Sequence, residues 1–356
     1  MRQLAKIVRV DDIRVHPNAD RLEIAVIGLW NVVVSKGQFT KDDSAIFCEI
    51  DSLLPIEDER LAFLAGRNEY TIDGKQYSRL KTMRLRKVLS QGLLLPCSQF
   101  GKEITQFLEH EDEGVTLADV LGIIKYEPPE DSYGGNRGNG AVKGHPFPHF
   151  IPKTDQERIQ NLVYEYNEAL SNKELFEVTF KLDGSSITIA VNNNNIYICS
   201  RNNTLTMQED WNEIYSHYIR AAIDSGILFK LILINSLTGR NLALQGELCG
   251  PKIQSNFEGL DKDTIFIYDV YDIDNSRYLL PDERIELLYN YGLYNDRVPV
   301  YLNNALLADN INDTLVMADG KSALNGKFRE GLVFKSMTRD FSFKAIGNSY
   351  LEKTGK

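Results

Sequence analysis

The chain has 356 residues, 43% of them hydrophobic and 25% charged, with a formal net charge of −10. That length is long for one domain and comfortable for two. No apolar run approaches the ~18 residues needed to span a bilayer, so no membrane partner is expected, and the opening Met1-Arg2-Gln3-Leu4-Ala5-Lys6 has neither an apolar export core nor a cleavage site, so a cytoplasmic location is expected. The acidic balance argues against a uniformly basic surface for duplex DNA, where phosphate neutralisation dominates affinity, but leaves room for a local basic groove. Cys48, Cys97, Cys199 and Cys249 form no Cys-x-x-Cys pair. Neither a zinc ribbon nor a disulfide framework is indicated, and apolar flanks mark the first three as buried, reduced thiols.

In chain order, β-branched runs bounded by turn residues predict short strands at 5–10, 23–27, 31–34, 44–50 and 91–95. Five such strands in about a hundred residues suggest a small closed barrel of the OB type. Between the last two lies the most basic stretch of the chain, with Arg79, Lys81, Arg84, Arg86 and Lys87. It is either a solvated strand face or a nucleic-acid backbone contact, helped by Lys36 and Arg67 if they lie nearby. Composition then shifts: 127–145 is rich in Gly, Asn and Pro and buries little. We read it as a linker between domains at 1–126 and 146–356.

Beyond the linker, Thr154-Asp155-Gln156-Glu157 spells a capping box, and Ile159, Leu162, Val163, Tyr166 and Leu170 succeed it at helical spacing, predicting a helix over 155–171. Strands are predicted at 177–180, 187–191 and 196–199, the last two joined by a turn of four asparagines, 192–195. A helix is expected over 211–223, and strands at 242–248, 264–271, 331–336 and 341–345. The fold class is α+β: a front β-barrel, then antiparallel sheets flanked by helices.

The residues suited to chemistry sit at the ends of these strands. Lys181, in Lys181-Leu182-Asp183-Gly184, lies between two of them. An amine attacks phosphorus only when deprotonated, and lysine's ordinary pKa near ~10.4 forbids that at neutral pH without burial, neighbouring cations or a metal. Asp183 offers an oxygen ligand for such a metal. By chance alone Lys-x-Asp-Gly arises in roughly one chain in ten of this length, so its meaning rests on the charged strand ends downstream. Arg201 ends the next strand and can donate to a ribose or phosphate oxygen. Glu247 stands between Gly246 and Leu248-Cys249-Gly250, where a buried carboxylate needs a partner. Tyr268 sits in an aromatic strand, able to stack on a base for ~1–3 kcal/mol. Glu330, Lys335 and Lys344 carry charge into otherwise apolar strands.

Taken in order, Lys181-x-Asp183-Gly184, Ser200-Arg201, Glu247-x-x-Gly250, Tyr268-Asp269, Glu330-Gly331-x-Val333 and Lys344 resemble the motifs of the covalent nucleotidyltransferase superfamily of ATP-dependent ligases and RNA capping enzymes. The segment from His145 to Asn161 resembles the one just upstream of the nucleophile in RNA ligases. His16-Pro17-Asn18-Ala19-Asp20-Arg21-Leu22 is similar to the opening of tRNA-binding OB modules. An extra domain at the front, rather than after the last lysine, is the arrangement of the Naegleria-type RNA ligases. The resemblance covers nearly the whole chain.

The resemblance implies an N-terminal OB-fold followed by an ATP-grasp-like DNA/RNA ligase domain. It implies an ATP-dependent RNA ligase in RNA repair or end joining, acting on 3′-hydroxyl and 5′-phosphate ends at nicks or breaks. Lys181 would carry AMP. Asp183 and Glu330 would organise Mg²⁺ or Mn²⁺, largely through its waters. Arg201 and Glu247 would bind the ribose, Tyr268 would stack on adenine, and Lys344 would neutralise the α-phosphate. Many relatives have Lys-x-Lys in the last motif where this chain has Ser342-Phe343-Lys344; Lys335 is a candidate for the missing charge. A DNA ligase, a capping guanylyltransferase and a non-catalytic RNA-binding protein are the alternatives.

Overall fold

The structure, a computed structural model, describes residues 3–126, 145–205 and 217–354. They form two compact units, one of the residues up to 126 together with 351–354, the other of 145–350.

The first unit contains β1 (Ala5–Arg9), β2 (Asp12–Val15), β3 (Leu22–Ile27), β4 (Trp30–Ser35), β5 (Ser44–Cys48), β6 (Ser52–Pro55), β7 (Glu69–Ile72), β8 (Lys75–Arg79), β9 (Met83–Leu85), β10 (Val88–Ser90), β11 (Leu93–Pro96), the helices α1 (Gly101–His110) and α2 (Leu117–Val120), and β12 (Ile124–Lys125). All five strands read from the sequence are present. Alternation fixes their faces: in β4, Trp30, Val32 and Val34 are buried while Asn31 and Ser35 are exposed. These three pack with Phe47, Phe39 and Leu94 inside the β1-β5-β11 and β2-β3-β4 sheets. A β12-β6-β8-β7 sheet, not anticipated from the sequence, lies beside them.

The second unit is built on two sheets. One runs β13 (His145–Pro146), β18 (Asn203–Thr204), β17 (Asn195–Cys199), β16 (Ser185–Asn192), β19 (Leu242–Cys249), β20 (Thr264–Asp272), β21 (Arg277–Tyr278). The other runs β14 (Glu157–Arg158), β24 (Ser342–Ile346), β23 (Gly331–Ser336), β15 (Phe176–Lys181), β22 (Val300–Ala305). Every pairing in both is antiparallel except β14 with β24. The helices are α3 (Val163–Ser171), α4 (His217–Asp224), α5 (Ile227–Thr238), α6 (Pro281–Asn290), α7 (Ile311–Ala318) and the first residues of α8 (Asn348–Thr354), whose residues 351–354 belong to the first unit. Ile219, Ala222, Leu231 and Ile234 of α4 and α5 bury the back of the seven-stranded sheet against Ile187, Ile189, Leu242 and Leu244. That leaves the sheet's other face for chemistry. The asparagine turn forms as expected, with Asn193 and Asn194 at φ 49° and 63°, a conformation asparagine tolerates.

One expected element is different. Residues 154–158 are not helical: Glu157–Arg158 is the strand β14, a 3₁₀ turn covers Ile159–Asn161, and α3 begins only at Val163. The capping box does not form because its members are engaged elsewhere, Thr154 by a tertiary partner and Glu157 by its own neighbours. The Thr154 hydroxyl bonds the Tyr268 hydroxyl at 2.8 Å, and Glu157 accepts from the Arg158 amide and the Asn161 side chain. The helix expected over 211–223 is seen as α4 from His217; residues 211–216 lie outside the described residues, as do 127–144 of the expected linker. All four cysteines are free thiols, with Cys97 only half-buried; burial pushes Cys48 up to about 12 and Cys199 up to about 11. No single described helix is long and apolar enough to cross a membrane.

Candidate active site

Lys181 ends β15, directly opposite Gly331 of β23, so Glu330 arrives beside it and its Oε1 meets Lys181 Nζ at 2.9 Å. The chain then turns at Asp183-Gly184 against the edge of β19. A Cβ on Gly184 would lie 2.4 Å from the Leu248 carbonyl, so only glycine fits. The Gly184 amide donates to Glu247 Oε1 at 3.0 Å. Thus the Asp-Gly of the sequence motif draws a third carboxylate toward the lysine.

Asp183 is held from two sides that no sequence pattern connects. Its Oδ2 accepts from the Tyr350 hydroxyl at 2.9 Å, and its amide donates to Glu258 Oε1 at 3.2 Å. Ser322 in turn donates to Glu258 Oε2 at 2.9 Å. Glu258 and Tyr350 are each 1% exposed. Neither belongs to a recognisable motif; a lone Glu in Phe257-Glu258-Gly259 and a tyrosine past the last strand carry no local signal.

The electrostatics arise from this crowding. Burial pulls the Lys181 ammonium down, yet Glu330, Glu247 and Asp183 outweigh it and raise its pKa above the ordinary range. Burial pushes Glu247 up to about 8, with Lys181 opposing and Glu330 and Asp183 adding to the rise. The lysine therefore rests protonated in a surplus of carboxylates, the opposite of the cationic neighbourhood its chemistry demands. Glu330 Oε2 is buried with no hydrogen-bond partner. An orphaned carboxylate oxygen beside Asp183 fits a divalent cation. Among the described residues no three His, Cys, Asp or Glu side chains form a ready cage, so water would complete the ion's shell.

The hydroxyl of Tyr268, on β20, is 3.3 Å from Ser186 Oγ as well as bonded to Thr154. Phe266, two residues earlier and directly across from Glu247, packs on the same small cluster as Tyr268 and Leu182; it is a second aromatic that the strand pattern alone did not single out. Lys344 and Arg201 converge on one carboxylate: Asp155 Oδ1 is 3.3 Å from Lys344 Nζ, and Oδ2 is 3.6 Å from Arg201 Nη2.

The sheet register decides the question of the missing lysine. On one face the rows run Lys181–Gly331–Ile346, then Thr179–Val333–Lys344, then Glu177–Lys335–Ser342. Lys344 is one row from Lys181; Lys335 and Ser342 are two, about 13 Å along the strand. Lys335 is moreover buried in a structural network, its Nζ 2.5 Å from both Asp269 Oδ1 and the Tyr268 carbonyl, while Arg284 bonds Asp269 and Glu177. Lys335, expected to supply the missing charge, is held within that network. Arg158 stands directly opposite Lys344 across the parallel β14–β24 pair and is 6% exposed. Its signal, a cation in a stretch read as helix, was hidden by the wrong period.

Of the basic stretch, Arg79 is turned inward, bonded to Asp51 at 2.6 Å and stacked 3.7 Å from the Tyr126 ring centre. Its guanidinium, expected at a nucleic-acid contact, is thus engaged within the unit. Arg84 is half-exposed and paired with Glu352 at 3.0 Å. Lys81 is half-buried, whereas Arg86 and Lys87 are exposed.

An OB-fold unit joined to a two-sheet unit whose strand ends gather a lysine and its carboxylates defines the ligase class of nucleotidyltransferases. An OB-fold domain profile matches residues 4–97, and the RNA ligase family profile matches residues 174–346. Solved structures of Naegleria gruberi RNA ligase are similar throughout: the form with PPi is 36% identical, covers 99% of each chain and superposes with a TM-score of 0.82. A lysine-to-methionine variant with AMP and Mn gives the same figures, and an arginine-to-alanine variant with ATP and Mn is 37% identical over 99% of each chain, with a TM-score of 0.82. A search of curated protein sequences gives no match. The chain belongs to the RNA ligase family.

Proposed function

We propose that this RNA ligase uses ATP and Mg²⁺ or Mn²⁺ to seal 3′-hydroxyl to 5′-phosphate RNA ends at nicks or breaks, through AMP carried on Lys181. The observation that carries the reading is the 2.9 Å contact of Lys181 with Glu330, which unites two motifs 149 residues apart in a carboxylate-rich pocket. The similar Naegleria structures hold ATP, AMP, Mn and PPi, the reactants and products of such a step.

In the first step the Lys181 nitrogen forms a bond to the α-phosphorus and the bond to pyrophosphate breaks, with loss of the lysine proton. A divalent cation beside Asp183 and Glu330 supplies the positive charge that offsets these carboxylates and releases that proton. Tyr350 and Glu258 hold Asp183 in place for this. Tyr268, with Phe266, walls the adenine, and Glu247 and Arg201 reach the ribose. Lys344 and Arg158 supply paired positive charge at the α-phosphate; Asp155 already shows that Lys344 and Arg201 can share one anion. In the second step a 5′-phosphate oxygen displaces Lys181 from the adenylate. In the third the 3′-hydroxyl attacks that 5′-phosphate and AMP leaves. The front domain, 1–126, holds the RNA. We place the protein in the cytoplasm, where its four thiols stay reduced.

Incubation with α-labelled ATP and Mn²⁺ tests the reading. Label attaches covalently, withstands denaturation and is lost in Lys181→Ala; a wild-type chain that takes no label overturns it.

A further inference from the structure

The ligation chemistry leaves one basic feature of the first unit unused. β9 and β10 form a hairpin with Leu85 paired to Val88, so Arg86 and Lys87 are its two turn residues. Both have positive φ, 46° and 72°. A two-residue turn of this kind favours Asn-Gly, and two long cationic side chains are poorly suited to it. The conformation persists because distant side chains hold it. The His16 ring bonds the Leu85 carbonyl through Nε2 at 3.1 Å, and the Asn18 side-chain amide donates to the Arg86 carbonyl at 3.0 Å. The Asn18 backbone amide donates to His16 Nδ1 at 3.1 Å, which leaves Nε2 as the ring's donor. His16 is 3% exposed, whereas both turn residues are exposed.

We propose that the Arg86–Lys87 turn is a preshaped anchor for the phosphodiester backbone of RNA, braced by His16 and Asn18. The choice of RNA rests on the ligase reading above. The brace accounts for the His16-Pro17-Asn18 motif, which fixes two backbone carbonyls so that two cations project together from the sheet end. Arg21 and Lys36 lie together at one end of β3 and β4, where the Lys36 amide donates to the Arg21 carbonyl. None of these four cations makes an ion pair among the described residues. The acids at this end include Asp20 and Glu23, and Glu352 pairs with Arg84 of the hairpin; Glu23 accepts from the Gly37 amide. A strained element fixed by its surroundings loses little freedom on binding, which is what an anchor requires.

The test uses the full chain and a fluorescent RNA duplex carrying a nick, with binding read by anisotropy over a salt series. R86N/K87G supplies the residues this turn favours and removes both cations. It should melt no earlier than wild type, bind about tenfold more weakly, and show a salt slope smaller by roughly 1.5–2. Asn18→Ala keeps every cation, so its affinity should fall about threefold with the slope unchanged. Should R86N/K87G melt early, Lys87→Gln carries the test with half the change in slope. Wild-type affinity and slope in the charge-removing variant would overturn the anchor, and wild-type affinity in Asn18→Ala would overturn the brace. RNA binding is measured without turnover: binding with no lysine labelling would sink the ligase reading and still support the anchor. Labelling with no RNA binding would do the reverse.

Discussion

Lys181 and Lys335 stand on neighbouring strands of one sheet, Lys335 buried and Lys181 partly buried, and their surroundings are opposite in character. Around Lys335 the charges balance: Lys335 and Arg284 face Asp269 and Glu177. There burial outweighs the attraction of Asp269, and the lysine's pKa is lowered. Around Lys181 one cation meets Glu330, Glu247 and Asp183, and its pKa is raised despite burial. A closed network of matched charges ties β15, β20, β23 and α6 together. An open one, with a carboxylate oxygen left over, has room for a further cation and for chemistry. Burial alone does not distinguish the surroundings of these two lysines; the charge count does.

The contrast can be broken experimentally. Lys335→Met leaves Asp269 and Glu177 with Arg284 alone, and it should cost roughly 3 kcal/mol of stability, read as a lower denaturation midpoint. If stability is unchanged, the balanced network is not structural. Mn²⁺ should stabilise the wild type, by about 2.7 kcal/mol at a hundred times its dissociation constant, and raise its melting temperature. The shift should shrink in Glu330→Gln, survive in Lys335→Met and vanish with a chelator. An equal shift in Glu330→Gln would move the ion elsewhere. The smallest effect belongs to an exposed pair, Arg277 with Glu283. The Arg277 guanidinium, then the Leu280 amide, hold Glu283 down to about 2. A depressed carboxylate contributes stability that is complete above its ordinary value near ~4.3 and is lost as pH falls toward about 2. Glu283→Gln should therefore flatten the melting temperature slightly over that acidic window and leave it alone at neutral pH, since exposure screens the pair.

Much of the site was legible because its residues lie at strand ends, where a short motif carries its own geometry. Lys181, Glu247 and Glu330 stand out by strand position, glycine spacing and order, and the structure brings these three together. What misled was periodicity with no partner in view. The apolar spacing from Ile159 onward was real, but Glu157–Arg158 found a parallel strand in β24 and left the helix. That concealed Arg158. The basic stretch divided for the same reason: Arg79 had Asp51 and Tyr126 to turn toward, while Arg86 and Lys87 occupied a turn no local pattern would assign to them.

By itself the sequence determined the α+β class, the front barrel and many of the strands along the chain, and it marked Lys181 as a candidate nucleophile, because alternation, turn residues and motif order are local and add along the chain. Only the tertiary structure decided which charges share a pocket. It put Lys335 with Asp269, Asp183 with Tyr350 and Glu258, and Arg158 beside Lys344. The physical reason is that pKa and partnership depend on distances across sheet registers, and residues 66 or more positions apart meet only once the strands have paired.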